Sequence, residues 1–373
     1  GVLGMKVIIS GGGTGGHIYP GLAVARSLEE KIDDVEILFV GTADGLESDI
    51  IPKAGYELRT IKAEGFSRQL SLQLVKAVTK TGIGVLESYH ILKDFDPDIV
   101  LGTGGYVCGP IVLAAALQNI PSLIHEQNAY PGLTNRILAK IVDKVALSNQ
   151  AAKSYFKQQK KLTVTGNPIR PEILAKEERV AYQELNLQPG LKTILVFGGS
   201  RGAKSINQAL VGIYKNLREL NVQVLHVTGK QDFERIADKA KELGINDFES
   251  GKIRIKPYLY NMEAALTVAD MVISRAGATG LAEITASGLP AILIPYPHAT
   301  DNHQEHNARA LEEEGVAEVI LDDDLTADKL WSRLEELLND EEKLLTMSKA
   351  SLSAGAPQAA QNLINEMMQL INS

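Results

Sequence analysis

Short runs of apolar, β-branched residues alternate along this chain with longer amphipathic stretches. Segments 6–10, 36–40, 99–102, 122–125 and 144–147 read as strands with helix-length segments between them, and the pattern restarts at 193–197, 223–228, 253–255, 271–274 and 291–295. Strands that alternate with helices predict a mainly parallel sheet covered on both faces. A weak internal repeat divides the pattern in two. KVIISGGGTGGHIYPGLAVA near the start and TILVFGGSRGAKSINQAL after residue 192 each carry a strand into a glycine-rich loop that opens a helix.

Two copies of that unit imply an α/β fold of two Rossmann-like, doubly wound domains. The expected domains are 1–165 and 174–355, joined by a linker at 166–173 where Pro168 and Pro171 break regular structure. The helical pattern lapses at 354–357 and resumes with Leu363, Ile364, Met367, Met368 and Ile371. Residues 356–373 are therefore expected to form a helix packing back towards the first domain. Ligands of open α/β sheets bind beyond the carboxyl ends of the strands, so two such domains facing each other would set the site in a cleft.

A net charge of −8 disfavours nucleic acid as the main partner. The single cysteine, Cys108, rules out an internal disulfide framework and fits a reducing compartment. No N-terminal stretch has the make-up of a secretory signal, so a cytoplasmic location is expected. The longest apolar run, 111–117, is far shorter than the ~20 residues that span a bilayer.

Gly11, Gly13 and Gly16 satisfy G-x-G-x-x-G between a strand and a helix, where backbone N–H groups can face an anion or a hydroxyl-rich ligand. A nicotinamide dinucleotide site would also want an acid at the end of the second strand. That strand ends in Val40-Gly41-Thr42, with Asp44 arriving late, which disfavours an oxidoreductase. A carboxylate does follow a later loop: SRAGATGLAEI, 274–284, opens a helix that carries Glu283. Glu283 can accept two hydrogen bonds from a vicinal diol, while amides at Ala278, Thr279 and Gly280 hold a diphosphate without a metal. The plainer reading of Glu283 is a solvated helix residue favoured by the dipole. His298, His303 and His306 lie close in sequence, but their spacing is not that of a helical zinc pair and no cysteine accompanies them, so no metal site is expected. Amide side chains such as Gln304 and Asn307, and the polar cluster HEQNAYPGLTN at 125–135, suit sugar hydroxyls.

The stretches GGGTGGHIYPGLAVA, GTGGYVCGP, HEQNAYPGLTN, GNPIR, FGGSRGA, SRAGATGLAE and Asp301-Asn302-His303-Gln304, in order over nearly the whole chain, resemble the MurG family of N-acetylglucosaminyltransferases, which complete lipid II in bacterial cell-wall synthesis. The resemblance implies the GT-B fold, with acceptor in the first domain and UDP-N-acetylglucosamine largely in the second. It implies that Thr14, Gly15 and Gly16 close over the donor and that Asn128 touches the donor sugar. Arg170 and Ser200 would contact the diphosphate and Leu259 the uracil. Ala278, Thr279 and Gly280 would meet the phosphates, Glu283 the ribose diol and Gln304 the sugar hydroxyls. The family carries Leu-Thr where this chain has Thr279-Gly280, which moves the phosphate-side hydroxyl to Thr279. It carries Gln-Gln where this chain has His303-Gln304, so only Gln304 transfers.

The expected reaction is an inverting transfer to the C4 hydroxyl of undecaprenyl-pyrophosphoryl-N-acetylmuramyl-pentapeptide, lipid I, with no cofactor. His17, beside the first glycine loop and with an ordinary pKa near 6.5, is the expected general base, with Glu126 in reserve. The alternative for His17 is a hydrogen bond to the acceptor diphosphate or to the loop backbone. Residues 62–93 hold five Lys or Arg against two Glu beside many apolar side chains, a pattern suited to an anionic membrane surface or, equally, to an ordinary packed amphipathic helix. Peripheral attachment to the cytoplasmic face of the cell membrane, with other cell-wall synthesis proteins as partners, completes the expectation. The alternatives are a sugar-nucleotide 2-epimerase on the same fold and a non-enzymatic nucleotide-sugar binding protein.

Overall fold

The computed structural model describes residues 4–64, 72–199 and 202–373, with the side chains of 72–78 also left out of the description. Ser200 and the 65–71 part of the basic, apolar segment thus lie outside the described residues. The chain forms two compact units, Gly1–Arg170 with Ala356–Ser373, and Pro171–Gly355.

The first unit is built on seven strands: β1 (Lys6–Gly11), β2 (Glu36–Gly41), β3 (Glu57–Thr60), β4 (Ile99–Gly104), β5 (Ser122–Glu126), β6 (Lys144–Leu147) and β7 (Leu162–Val164). They lie in the order β3-β2-β1-β4-β5-β6-β7, and every pairing is parallel. Successive side chains of a strand point to opposite faces, and both faces here are covered. Ile8, Val100, Ile124 and Val145 join one buried cluster, while Val7, Ile9, Leu101 and Leu123 join another on the opposite face. The C-terminal helix Ala359–Ile371 completes the second cluster through Leu363, Ile364 and Met367. Its Glu366 meets Lys144 and accepts a hydrogen bond from Thr163 Oγ1 at 3.1 Å.

The second unit has six strands: β8 (Lys192–Phe197), β9 (Val222–Val227), β10 (Ile253–Lys256), β11 (Met271–Ser274), β12 (Ala291–Leu293) and β13 (Ala317–Val319). Their order is β10-β9-β8-β11-β12-β13, again parallel throughout. Both sheets are doubly wound, the α/β architecture read from the sequence. Three strands escaped the pattern, β3, β7 and β13. Each sits at a sheet edge, and their three or four residues include at most one that is fully buried. With so few apolar positions, an edge strand resembles a loop in sequence.

Candidate active site

In each unit a glycine-rich loop leaves the carboxyl end of a central strand and opens a helix. In the first, β1 runs through 12–14 into the helix Gly15–Glu29, and its register with β4 shifts between Ser10 and Gly11. The loop rests on a carboxylate that the sequence reading passed over. Glu47, the first residue of the helix Glu47–Lys53, has no solvent exposure. It accepts hydrogen bonds from the Gly13 amide at 3.0 Å, the Thr42 amide at 3.0 Å and the Thr42 hydroxyl at 2.6 Å. A Cβ at Gly12 would stand 2.5 Å from the Glu47 carboxyl carbon, so only glycine admits this packing. The acid missing after Val40 is thus present seven residues later, turned beneath the loop rather than out towards a ribose.

His17, half-buried in the first turn, brings Nδ1 to 3.0 Å from the Gly12 carbonyl oxygen. A carbonyl only accepts, so Nδ1 carries the proton in this bond and the neutral ring keeps its lone pair on Nε2. The Thr14 hydroxyl lies 3.4 Å from the same Nδ1, and Thr103 Oγ1 donates to the His17 carbonyl at 2.7 Å. Gly105, at φ +80°, covers this arrangement; a Cβ there would come within 2.5 Å of the Gly12 oxygen and 3.1 Å of His17 Nδ1. Thr14 is exposed, and Gly15 and Gly16 are half-buried.

Glu126, at the end of β5, is buried, and both its oxygens are engaged by its own loop. Oε1 accepts from the Asn128 amide at 2.9 Å and from Asn128 Nδ2 at 3.1 Å; Oε2 accepts from the Gly132 amide at 3.0 Å and Asn135 Nδ2 at 2.8 Å. Asn128 therefore commits an amide donor to Glu126. Next to it His125 is fully buried, and burial lowers its pKa to about 4. Its Nε2 donates to the Gly166 carbonyl at 2.9 Å, and its Nδ1 accepts from Gln127 Nε2 at 3.0 Å. Several buried polar atoms here have no protein partner: Gln127 Oε1, Asn135 Oδ1 and both side-chain polar atoms of Asn167. Buried polar groups are nearly always hydrogen-bonded, so these atoms call for a partner from outside the protein, water or ligand. Sequence reasoning did not single out Asn167, although it lies inside GNPIR, three residues before the half-buried Arg170.

In the second unit, β11 ends at Ser274 and the helix Ala278–Ala286 starts from Gly277, with no side-chain cap and no acid in its first turn. The Thr279 hydroxyl is buried there without a partner. An uncapped N-terminus directs unpaired N–H groups and the positive end of the helix dipole at one spot, which suits an anion. Ala278, Thr279 and Gly280 form that turn, and Glu283 is buried one turn on. Burial sets aside the solvated-residue reading of Glu283. Gln304, in the helix His303–Glu313, accepts at Oε1 from the Ala276 amide at 3.2 Å and the Tyr296 amide at 3.0 Å, so what it offers a ligand is its NH₂ group. Arg275 braces the same loop by donating to the Ile294 and Pro295 carbonyls at 3.2 and 3.1 Å and by pairing with Asp322. Leu259 is half-buried between exposed Tyr258 and Tyr260. Among the described residues, no group of three or more His, Cys, Asp or Glu side chains could hold a metal ion.

Comparison with known proteins gives these loops a class. Residues 7–147 match the glycosyltransferase family 28 N-terminal domain and residues 193–363 the corresponding C-terminal domain. The chain is thus a family 28 glycosyltransferase in two α/β domains of the GT-B kind. The chain is 50% identical over 361 residues to the UDP-N-acetylglucosamine--N-acetylmuramyl-(pentapeptide) pyrophosphoryl-undecaprenol N-acetylglucosamine transferase of Desulforamulus reducens, covering 96% of this chain and 97% of that one. It is also 50% identical to the enzyme of the same name from Halothermothrix orenii, with 97% and 98% coverage. A crystal structure of Acinetobacter baumannii MurG superposes with a TM-score of 0.78 at 28% identity, covering 98% of this chain and 99% of that one. The chain belongs to this family of N-acetylglucosamine transferases. A UDP-GlcNAc 2-epimerase from Neisseria meningitidis, bound to UDP-GlcNAc, superposes with a TM-score of 0.68 at 15% identity, covering 98% of this chain and all of that one; this likeness shows the fold alone.

Proposed function

We infer that this enzyme transfers N-acetylglucosamine from UDP-N-acetylglucosamine to the C4 hydroxyl of lipid I, forming the β-1,4 bond of lipid II in peptidoglycan synthesis. The observation that carries this reading is half-identity, over nearly the full length of both chains, to transferases named for that reaction. The epimerase reading rests on fold alone, and a pure binding protein is disfavoured by the same half-identity to named transferases.

In the reaction proposed, the C4 oxygen attacks the anomeric carbon, the bond from that carbon to the UDP oxygen breaks, and UDP leaves with the electron pair. His17 Nε2 takes the hydroxyl proton. Its Nδ1–H bond to the Gly12 carbonyl supports this role, because a neutral imidazole held that way accepts at Nε2. Glu126, the reserve base, is read instead as the group that shapes the loop around Asn128, since four donors already occupy its oxygens.

For the donor, Ala278, Thr279 and Gly280 are proposed to hold the diphosphate together with Arg170 and Ser200. Glu283 grips the ribose diol, Leu259 lines the uracil, and Gln304 and Asn128 bind the sugar. Thr14, Gly15 and Gly16 are proposed to contact the donor as well. Residues 1–165 would thus serve the acceptor and 174–355 the donor, with 356–373 joined to the acceptor domain.

No helix among the described residues is long and apolar enough to cross a membrane. Because lipid I carries a polyprenyl chain, we propose peripheral attachment to the anionic cytoplasmic face of the cell membrane. Ile83, Leu86 and Tyr89, exposed at three-residue steps along the helix Leu72–Phe95, support it. Equal co-sedimentation with neutral and anionic liposomes would sink that part. The reaction itself is tested by UDP release with and without a lipid I analogue. Acceptor-dependent release with a disaccharide product is expected, whereas conversion of UDP-N-acetylglucosamine alone would favour the epimerase.

A further inference from the structure

We propose that Glu47 is a positioning residue for the transfer, acting on His17 through the peptide bond between Gly12 and Gly13. The inference rests on the reading of His17 as the base and deepens it. One peptide group bears both contacts. Its N–H, from Gly13, donates to Glu47 Oε2 at 3.0 Å, and its C=O, from Gly12, accepts from His17 Nδ1 at 3.0 Å. The chain carboxylate, peptide, imidazole is therefore continuous, with every donor facing an acceptor.

Hydrogen bonds in series polarise one another, and more so away from water. A carboxylate drawing on the Gly13 N–H places more negative charge on the Gly12 oxygen, which strengthens its hold on the Nδ1 proton. That hold selects the tautomer with the lone pair on Nε2 and favours the imidazolium formed once the C4 hydroxyl has given up its proton. A buried acid linked directly to a catalytic histidine does the same work in hydrolytic triads. Here a peptide bond is interposed.

The surroundings are shaped around this chain of contacts. Thr42 supplies both remaining donors to Glu47, through its amide and hydroxyl, which anchors Oε1 and aims Oε2 at Gly13. Glu47 lies at a helix N-terminus, where negative charge is favoured. Would-be Cβ atoms at Gly12, Gly41 and Gly45 all fall within 2.7 Å of its side chain, so three separate glycines make room for one carboxylate. A group that merely filled space would require none of this.

The test has two readouts. In histidine-labelled wild-type protein, ¹⁵N NMR is expected to show His17 protonated on Nδ1 when neutral; an Nε2–H tautomer overturns the proposal, whatever any variant does. In Glu47→Gln, one oxygen cannot serve both Thr42 and Gly13. The tautomer is expected to become mixed, and kcat to fall ~10- to 100-fold within the ~10²–10⁴-fold span of general-base catalysis. KM for UDP-N-acetylglucosamine should change less than about twofold, since uniform binding is untouched. An unchanged tautomer or wild-type kcat in that variant overturns the proposal. Should the variant fail to fold, the wild-type spectrum decides alone. Failure of the base reading would show separately, as activity retained by His17→Ala.

Discussion

The glycine-bearing loops after β1 and β11 share one layout, strand to loop to helix, and differ in what occupies them. The loop after β1 is closed from within: a buried carboxylate occupies the Gly13 amide and a histidine occupies the Gly12 carbonyl. The loop after β11 is left open, with no capping side chain, no acid in the first helical turn and a buried threonine hydroxyl without a partner. A glycine-rich turn is therefore not by itself a phosphate site. Where an acid lies beneath the turn, it takes up a loop amide and fixes the backbone that His17 leans on; where none does, the helix N-terminus remains available to an anion. On the function proposed above, proton transfer belongs to the first unit and charge binding to the second, and that contrast can be broken at several points.

One expected effect is shared by both units. His125 in the first and His226 in the second are fully buried, and burial lowers their pKa values to about 4 and about 3. An unfolded histidine titrates near 6.5, so the unfolded chain binds the proton first as pH falls. The stability of the neutral forms is full above about pH 6.5 and is lost down to about 4 and 3. Between pH 6.5 and 5 each unit should lose roughly 2 kcal/mol, read from denaturant midpoints for each transition. A flat profile would mean these histidines are not neutral in the fold.

Gly105→Ala should separate the loops next. Its Cβ would crowd the Gly12 carbonyl and His17 from a φ that alanine avoids, so kcat should drop on the order of 10²-fold while UDP affinity stays near wild type. Loss of UDP binding instead would mean that the first loop also holds the donor phosphates. Glu283→Gln should do the reverse, weakening UDP ~10- to 100-fold by calorimetry, the worth of a charge-assisted contact to a diol. The smallest effect is expected of Thr279→Val. UDP affinity should fall ~3- to 10-fold, the net worth of one hydrogen bond. The ligand-free protein should melt no lower, because the hydroxyl removed was buried and unpaired. A lower melting temperature would show that the hydroxyl already has a partner.

Legibility in the sequence followed burial. Strands covered on both faces, such as β1 and β4, announced themselves as apolar runs, as did the stripe of Leu363, Ile364 and Met367 on the last helix. Edge strands β3, β7 and β13 did not, because pairing on one side leaves little apolar requirement. Candidate site residues were picked out where contiguous motifs carry them. Glu47 was not, because its main partner lies in three dimensions: the Gly12–Gly13 loop that it packs on and bonds to is 34 residues away in the chain. A dinucleotide-type acid at the end of β2 would turn outward, whereas Glu47 turns inward. Asn167 was passed over for a similar reason: what distinguishes it is two buried atoms without a protein partner, which no sequence pattern reveals.

The division of labour between the loops is tested most directly by acceptor-dependent UDP release in His17→Ala, assayed beside UDP affinity in the same variant. A loss of ~10²-fold or more in kcat, with UDP affinity within about twofold of wild type, is the predicted result. Retention of more than about a tenth of wild-type kcat, or a parallel collapse of UDP binding, would contradict the account.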